Sequence, residues 1–253
     1  MLNLYFLINT KQFQMNIKAQ IPNLFTMLNL FCGCIALVFV SNSDFKLAFF
    51  FVFLGIFFDF FDGFFARKFG VAGPLGVQLD SLADMVTSGV VPGYVMYQML
   101  MNSRNFLVSE WYHIEVPFMG FIITLGACYR LAKFNIDERQ SDSFIGLPTP
   151  ANALFIASLP LIMSDCQHDN LFFNSWILIA ITLLSAYIMN AEIPLFSLKI
   201  KDFSFGKYKL HIFFIAISLI MLIFLQILAV PIIILIYVLL SVINNFLSKK
   251  VVR

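Results

Sequence analysis

Apolar runs of about 20 residues recur along this chain, each broken from the next by a short polar stretch. A helix of that length just crosses the hydrocarbon core of a bilayer, about 30 Å thick. The runs occupy 22–40, 45–66, 77–101, 115–134, 147–164, 171–190, 210–228 and 230–247. The last two, joined through Gln226 to Pro231, are together about twice as long as one crossing requires, so they count as two. Composition agrees. Hydrophobic residues make up 60% of the chain and charged residues 12%. Soluble domains carry about 45–50% and 25%. A water-soluble fold and a disordered chain are both excluded. The expectation is an all-α membrane protein with about eight transmembrane helices.

An even number of spans puts both termini on one side, and the basic residues say which. That side collects 14 of the 16 Lys and Arg, among them Lys11, Lys18, Arg67, Lys68, Arg130, Lys133, Arg139 and the Lys199–Lys209 stretch. Only Lys46 and Arg104 fall opposite. Basic loops stay in the cytoplasm, so both termini are expected there, in the cytoplasmic membrane. Residues 1–20 read as an N-terminal cytoplasmic segment without a secretory signal, 21–209 as the catalytic helices, and 210–253 as a C-terminal hairpin with a basic tail. A net charge of +2 gives no footprint for nucleic acid. Cys32, Cys34, Cys128 and Cys166 lack the spacing of a metal site and read as small packing residues.

Four acids stand where acids are costly. Asp59 and Asp62 end the second span, and Asp80 and Asp84 begin the third. A single charge at the bilayer centre costs about 2.5–3.5 kcal/mol, so four need compensation. Asp59, Asp62 and Ala66 share one helix face at i, i+3 and i+7, with Gly63 beside them. Gly76, Asp80 and Asp84 share another at i, i+4 and i+8. The breakers Gly70, Gly73 and Pro74 lie between, predicting two adjacent antiparallel helices whose acidic faces meet. Two divalent cations would balance four carboxylates, and hard oxygen ligands suit Mg²⁺ or Mn²⁺. Paired ions about 3.5–4 Å apart are the usual clamp for phosphoryl transfer. Gly63 and Ala66 leave room beside the backbone, and Arg67 is in reach of a phosphate. An ion-pair network joining helices and a cation-transport site remain alternatives.

The run from Asp59 to Asp84 resembles the signature D-x-x-D-G-x-x-A-R-x₈-G-x₃-D-x₃-D of the CDP-alcohol phosphatidyltransferases, at every fixed position. The resemblance implies a membrane-embedded helical homodimer with a two-metal site facing the cytoplasm. It implies transfer of a phosphatidyl group from a CDP-linked lipid to an alcohol, with release of CMP. By position, Asp59, Asp62, Asp80 and Asp84 would be metal ligands, and Asp84 also the base. Gly63, Ala66 and Gly76 would make room for the nucleotide, and Arg67 would hold a phosphate.

Asn23 and Thr26, in Ile21-Pro22-Asn23-Leu24-Phe25-Thr26, are similar to the polar pair that meets the cytidine phosphates in that family; alone they also fit a helix cap. Cys128 to Asn135, followed by Phe144 to Asn152, resembles the serine-using branch. That implies CDP-diacylglycerol and L-serine as substrates, with Arg130, Lys133 and Asn135 toward the acceptor. Arg130 and Lys133 equally suit plain cytoplasmic anchoring. Glycerol 3-phosphate or an inositol compound remains an alternative acceptor.

Overall fold

In a computed structural model, the structure describes residues 17–103, 116–137, 144–165, 174–195 and 209–251. Met1 to Gln14, Arg104, Arg139, Cys166 and the basic residues Lys199, Lys201 and Lys207 lie outside them. The chain runs α1 (Ile17–Ser41), α2 (Phe45–Phe69), α3 (Pro74–Asp84), a π-helical turn (Met85–Val90) and α4 (Val91–Met101). A 3₁₀ turn (Val116–Phe121) leads into α5 (Ile122–Ile136). Then come β1 (Phe144–Ile145), α6 (Thr149–Asp165), α7 (Ser175–Asn190), β2 (Pro194–Leu195), α8 (Lys209–Leu225) and α9 (Ala229–Val251). The two-residue strands form one short antiparallel ladder.

Among the described residues, each predicted apolar run falls largely on a helix. Among the described residues, four stretches are long and apolar enough to cross a membrane: Gln20–Ser41, Phe45–Phe69, Val116–Ile136 and Phe213–Ile243. Helix α2 shows why water is the wrong solvent. Phe50, Phe53, Phe57, Phe60 and Phe64 recur every three or four residues and are 42–64% exposed, a continuous aromatic stripe. Phe58, Phe61 and Phe65, one step round the same helix, instead gather on Phe25 of α1 at centroid distances of 5.9–6.1 Å for the first two and 5.3 Å for the last. Asp44 caps the start of α2 by accepting from the Leu47 amide at 3.1 Å. Gly70 ends it in the left-handed region, φ 63°.

Phe213–Ile243 is not one straight rod. Gln226 has φ +48°, and the rings of Phe214 and Tyr237 meet at 5.8 Å. On a continuous helix they would stand about 34 Å apart. Helices α8 and α9 therefore fold back on each other, and α9 packs on α6 and β2.

Helix α4 is buried on nearly all sides and forms the middle of the bundle with α6. Helix α1 packs along α2 and also on α3 and the π turn. The acid-bearing α2 and α3 make little direct backbone contact, yet their acidic faces meet as expected, with oxygens of Asp59, Asp62 and Asp80 within 4.8 Å of one another. Helix α1 packs on both and bridges them. Cys32 is buried, as a packing residue should be, but Cys34 and Cys128 sit on exposed helix faces.

Candidate active site

The gap between α2 and α3 is a cavity of about 350 Å³. Asn23 and Thr26 line it from α1, Asp62, Gly63 and Ala66 from α2, and Gly76 and Asp80 from α3. The first turn of α3, with Pro74 at its start, opens on the same space, along with Val71, Ala72 and Gly73. A helix start presents unpaired amides and suits an anion. Asn23 lies inside helix α1, which begins at Ile17, so the helix-cap alternative for it falls away. Thr26 donates to Asp62 Oδ2 at 2.7 Å and to the Pro22 carbonyl at 3.2 Å. Arg67 does not line the cavity. Its guanidinium folds back over Gly63, where an added Cβ would meet Nη1 at 3.3 Å.

A second cavity, about 230 Å³, opens beside the first. Asp59, Asp80, Ser81 and Asp84 line it from α2 and α3, and Arg130, Leu131, Phe134, Pro148, Thr149 and Pro150 from α5 and the start of α6. Asp80 lines both cavities, so they meet at the carboxylates. Asp59, Asp62 and Asp80 each offer an oxygen, all within 4.8 Å of one another. Asp84 stands outside that trio but lines the same wall as Asp59 and Asp80.

The donor set fits hard divalent cations. Three convergent carboxylates are half-buried or buried, and none of the four acids makes a salt bridge among the described residues. Lys133 Nζ on α5 pairs instead with Glu192, at 3.5 Å. Among the described residues, no salt bridge to the four acids supports the helix-joining ion network. Asp59, Asp62 and Asp80 would hold such ions, with Asp84 at the edge of the cluster.

Arg130 is 7% exposed. Its Nη1 donates to the Ile145 carbonyl at 2.9 Å and to the Met189 carbonyl at 3.3 Å. Those two bonds tie α5 to β1 and to the end of α7. Gly146, next to β1, has φ +74°, and its amide donates to the Ile193 carbonyl at 2.9 Å, so the turn that carries Ile145 is pinned. Lys133 does not line the cavity; it pairs with Glu192. Nor does Asn135, whose amide donates to Ser81 Oγ at 2.9 Å while Ser81 Oγ donates to Asn135 Oδ1 at 3.2 Å. Asn135 thus steadies a wall residue.

Three polar residues at the site were missed from sequence: Asn29, Ser81 and Thr149. Asn29 donates from Nδ2 to Asp84 Oδ1 at 3.0 Å and is wholly buried. The signal for it was present, since Asn29 follows Thr26 by three residues inside an apolar run. Ser81 and Thr149 carry no signal of their own in a single sequence.

The sequence profile described as CDP-alcohol phosphatidyltransferase matches residues 19–188. The chain is 36% identical over 134 residues to the CDP-diacylglycerol–serine O-phosphatidyltransferase of Bacillus subtilis, covering 51% of this chain and 69% of that one. It is 32% identical over 198 residues to the protein of the same name from Methanocaldococcus jannaschii, covering 77% and 78%. With the Helicobacter pylori protein of that name it shares 28% over 213 residues, or 81% of each chain.

Proposed function

The chain belongs to the CDP-alcohol phosphatidyltransferase family, an enzyme family, and from that premise we propose that it transfers the phosphatidyl group of CDP-diacylglycerol to L-serine, giving phosphatidylserine and CMP. Membership displaces the cation-transporter reading. The observation that carries the proposal is the meeting of two cavities at one carboxylate cluster, Asp80 lining both. The larger holds the residues expected around the cytidine diphosphate: Asn23, Thr26, Gly63, Ala66 and Gly76, with Arg67 at its flank. The smaller sets a buried guanidinium opposite the acids, as a small amino acid with a carboxylate at one end and a hydroxyl at the other would require.

Asp59, Asp62, Asp80 and Asp84 are the proposed ligands of two divalent cations, Mg²⁺ or Mn²⁺. When bound, the ions would offset charge on the phosphates and on the departing CMP. Asp84 takes the serine hydroxyl proton. That oxygen forms a bond to the lipid-side phosphorus as the bond from phosphorus to the CMP oxygen breaks. Arg130 receives the serine carboxylate. Asn135 acts through Ser81, and Lys133 acts through its tie to Glu192. The distribution of Lys and Arg supports eight spans, with both termini and the site toward the cytoplasm. Family resemblance supports a homodimer whose catalytic helices lie within 21–209, followed by the hairpin of 210–253.

The direct test supplies detergent-purified protein, CDP-diacylglycerol and Mg²⁺ or Mn²⁺ with L-serine, glycerol 3-phosphate or inositol. CMP release and phosphatidylserine are expected with serine. Release with glycerol 3-phosphate and none with serine would remove the acceptor assignment and leave the transferase reading standing.

Arg130→Ala separates the two cavities. It is expected to raise the serine KM or lower kcat by about 10- to 10²-fold, the worth of one charge-assisted hydrogen bond. CDP-diacylglycerol binding should hold, because Arg130 does not line the larger cavity. Equal losses for both substrates would instead mark Arg130 as a tie for Ile145 and Met189 alone.

A further inference from the structure

Asn29 sits at the centre of the bundle and is 0% exposed. A buried amide in a membrane helix needs partners for two donors and an acceptor. Its Nδ2 donates to Asp84 Oδ1 at 3.0 Å, while its Oδ1 has no hydrogen-bond partner. The orphan oxygen is turned against α2 at Gly55, where an added Cβ would stand 2.9 Å away. The backbone carbonyl of Asn29 accepts from Thr87 Oγ1 at 3.0 Å, which fastens α1 to the π turn just past Asp84. The amide cannot usefully turn over. Rotation by half a turn would aim Oδ1 at the Asp84 carboxylate and trade an attraction for a repulsion.

We infer that Asn29 is a positioning residue for Asp84: its amide engages one carboxylate oxygen and leaves the other for the cavity shared with Asp59, Asp80 and Arg130. The inference rests on the proposal that Asp84 takes the acceptor's proton. Four features fit that role together. The bond reaches Asp84, which stands outside the trio of clustered acids. An uncharged donor orients the carboxylate without neutralising it. The glycine at Gly55 gives Asn29 the space to hold its own orientation. Lastly, the sacrifice of a buried acceptor, Oδ1, shows that the amide's placement is set by its donor end.

The test uses full-length, detergent-purified Asn29→Leu, which keeps the size and removes the donor, and Asn29→Asp, which keeps the shape and replaces donor by acceptor. Asp84→Asn is the reference. Serine-dependent CMP release is read as kcat and KM, CDP-diacylglycerol binding is read directly at equilibrium, and folding is read as the melting midpoint. Both Asn29 variants are expected to lose about 10²-fold in kcat, the scale of a small misplacement of a reacting group, with KM and CDP-diacylglycerol binding within about threefold of the parent. Unchanged kcat in a folded Asn29 variant, beside a collapsed Asp84→Asn, would overturn the inference alone. Binding and kcat falling in parallel would also overturn it, as would failure of both variants to fold, because Asn29 would then be a helix tie. Full turnover in Asp84→Asn would overturn the inference and the proposed base together.

Discussion

Asp84→Asn is expected to lower serine-dependent CMP release by about 10²- to 10⁴-fold, the usual worth of general-base help to a hydroxyl nucleophile. The variant is unusually clean here. Asparagine keeps the shape of aspartate, and its carbonyl can still accept the hydrogen bond from Asn29 Nδ2 that Asp84 accepts at 3.0 Å. Packing around α1, α3 and the π turn therefore has no reason to change. What the amide cannot do is take a proton. CDP-diacylglycerol should still bind, because Asp84 does not line the larger cavity. A variant that binds no CDP-lipid would show Asp84 to be chiefly a metal ligand, with the base elsewhere.

The second large effect is metal dependence. EDTA is expected to abolish CMP release, and Mg²⁺ or Mn²⁺ to restore it. Asp59→Asn or Asp80→Asn should lower metal-dependent turnover by about 10³-fold or more, since each removes a charged ligand worth several kcal/mol in a site shielded from water. Asp80 is the more telling of the two. It lines both cavities, so its loss should weaken CDP-diacylglycerol binding as well as turnover, whereas Asp59 lines only the smaller one. Weakened Mn²⁺ binding, followed by the resonance of the free ion, gives a readout independent of turnover. Full activity in rigorously metal-free buffer would end the two-metal proposal.

Much of this site was legible because helical spacing is arithmetic. Residues Asp59, Asp62 and Ala66 must share a face whatever surrounds them, and so must Gly76, Asp80 and Asp84. The aromatic stripe from Phe50 to Phe64 follows from the same period, as does the fold-back at Gln226 from the sheer length of the last apolar stretch. Which helix stands between two others is not arithmetic. The acidic faces of α2 and α3 meet as the spacing predicts, but that α1 packs on both was not legible, and Asn29 was overlooked for that reason. An asparagine in an apolar run announces a polar partner but not which one. Arg130 shows the opposite limit. Its position near the site followed from sequence, but its two carbonyl partners, Ile145 and Met189, come from segments 15 and 59 residues away. Lys133 and Asn135 looked equivalent to Arg130 on paper, yet bonds to Glu192 and Ser81 turn them to supporting tasks.

The π turn at Met85–Val90 bears on which changes of chain length the enzyme can accept. Each residue added to or taken from a helix rotates everything beyond it by about 100°. The wide turn lies between Asp84, which must face the cavities, and α4, which must stay buried. It is held on both sides, by Thr87 on the Asn29 carbonyl and by Thr124 donating to the Gly89 carbonyl at 3.0 Å. The wide turn takes up one residue more than an α-helix would between the same two ends, so one residue lost there can be absorbed as an ordinary helix with its halves still in phase, whereas one lost from α3 or α4 would misdirect the acids or the buried face. Among relatives of this enzyme, a one-residue difference in length should therefore fall in this segment rather than in α3 or α4 on either side of it.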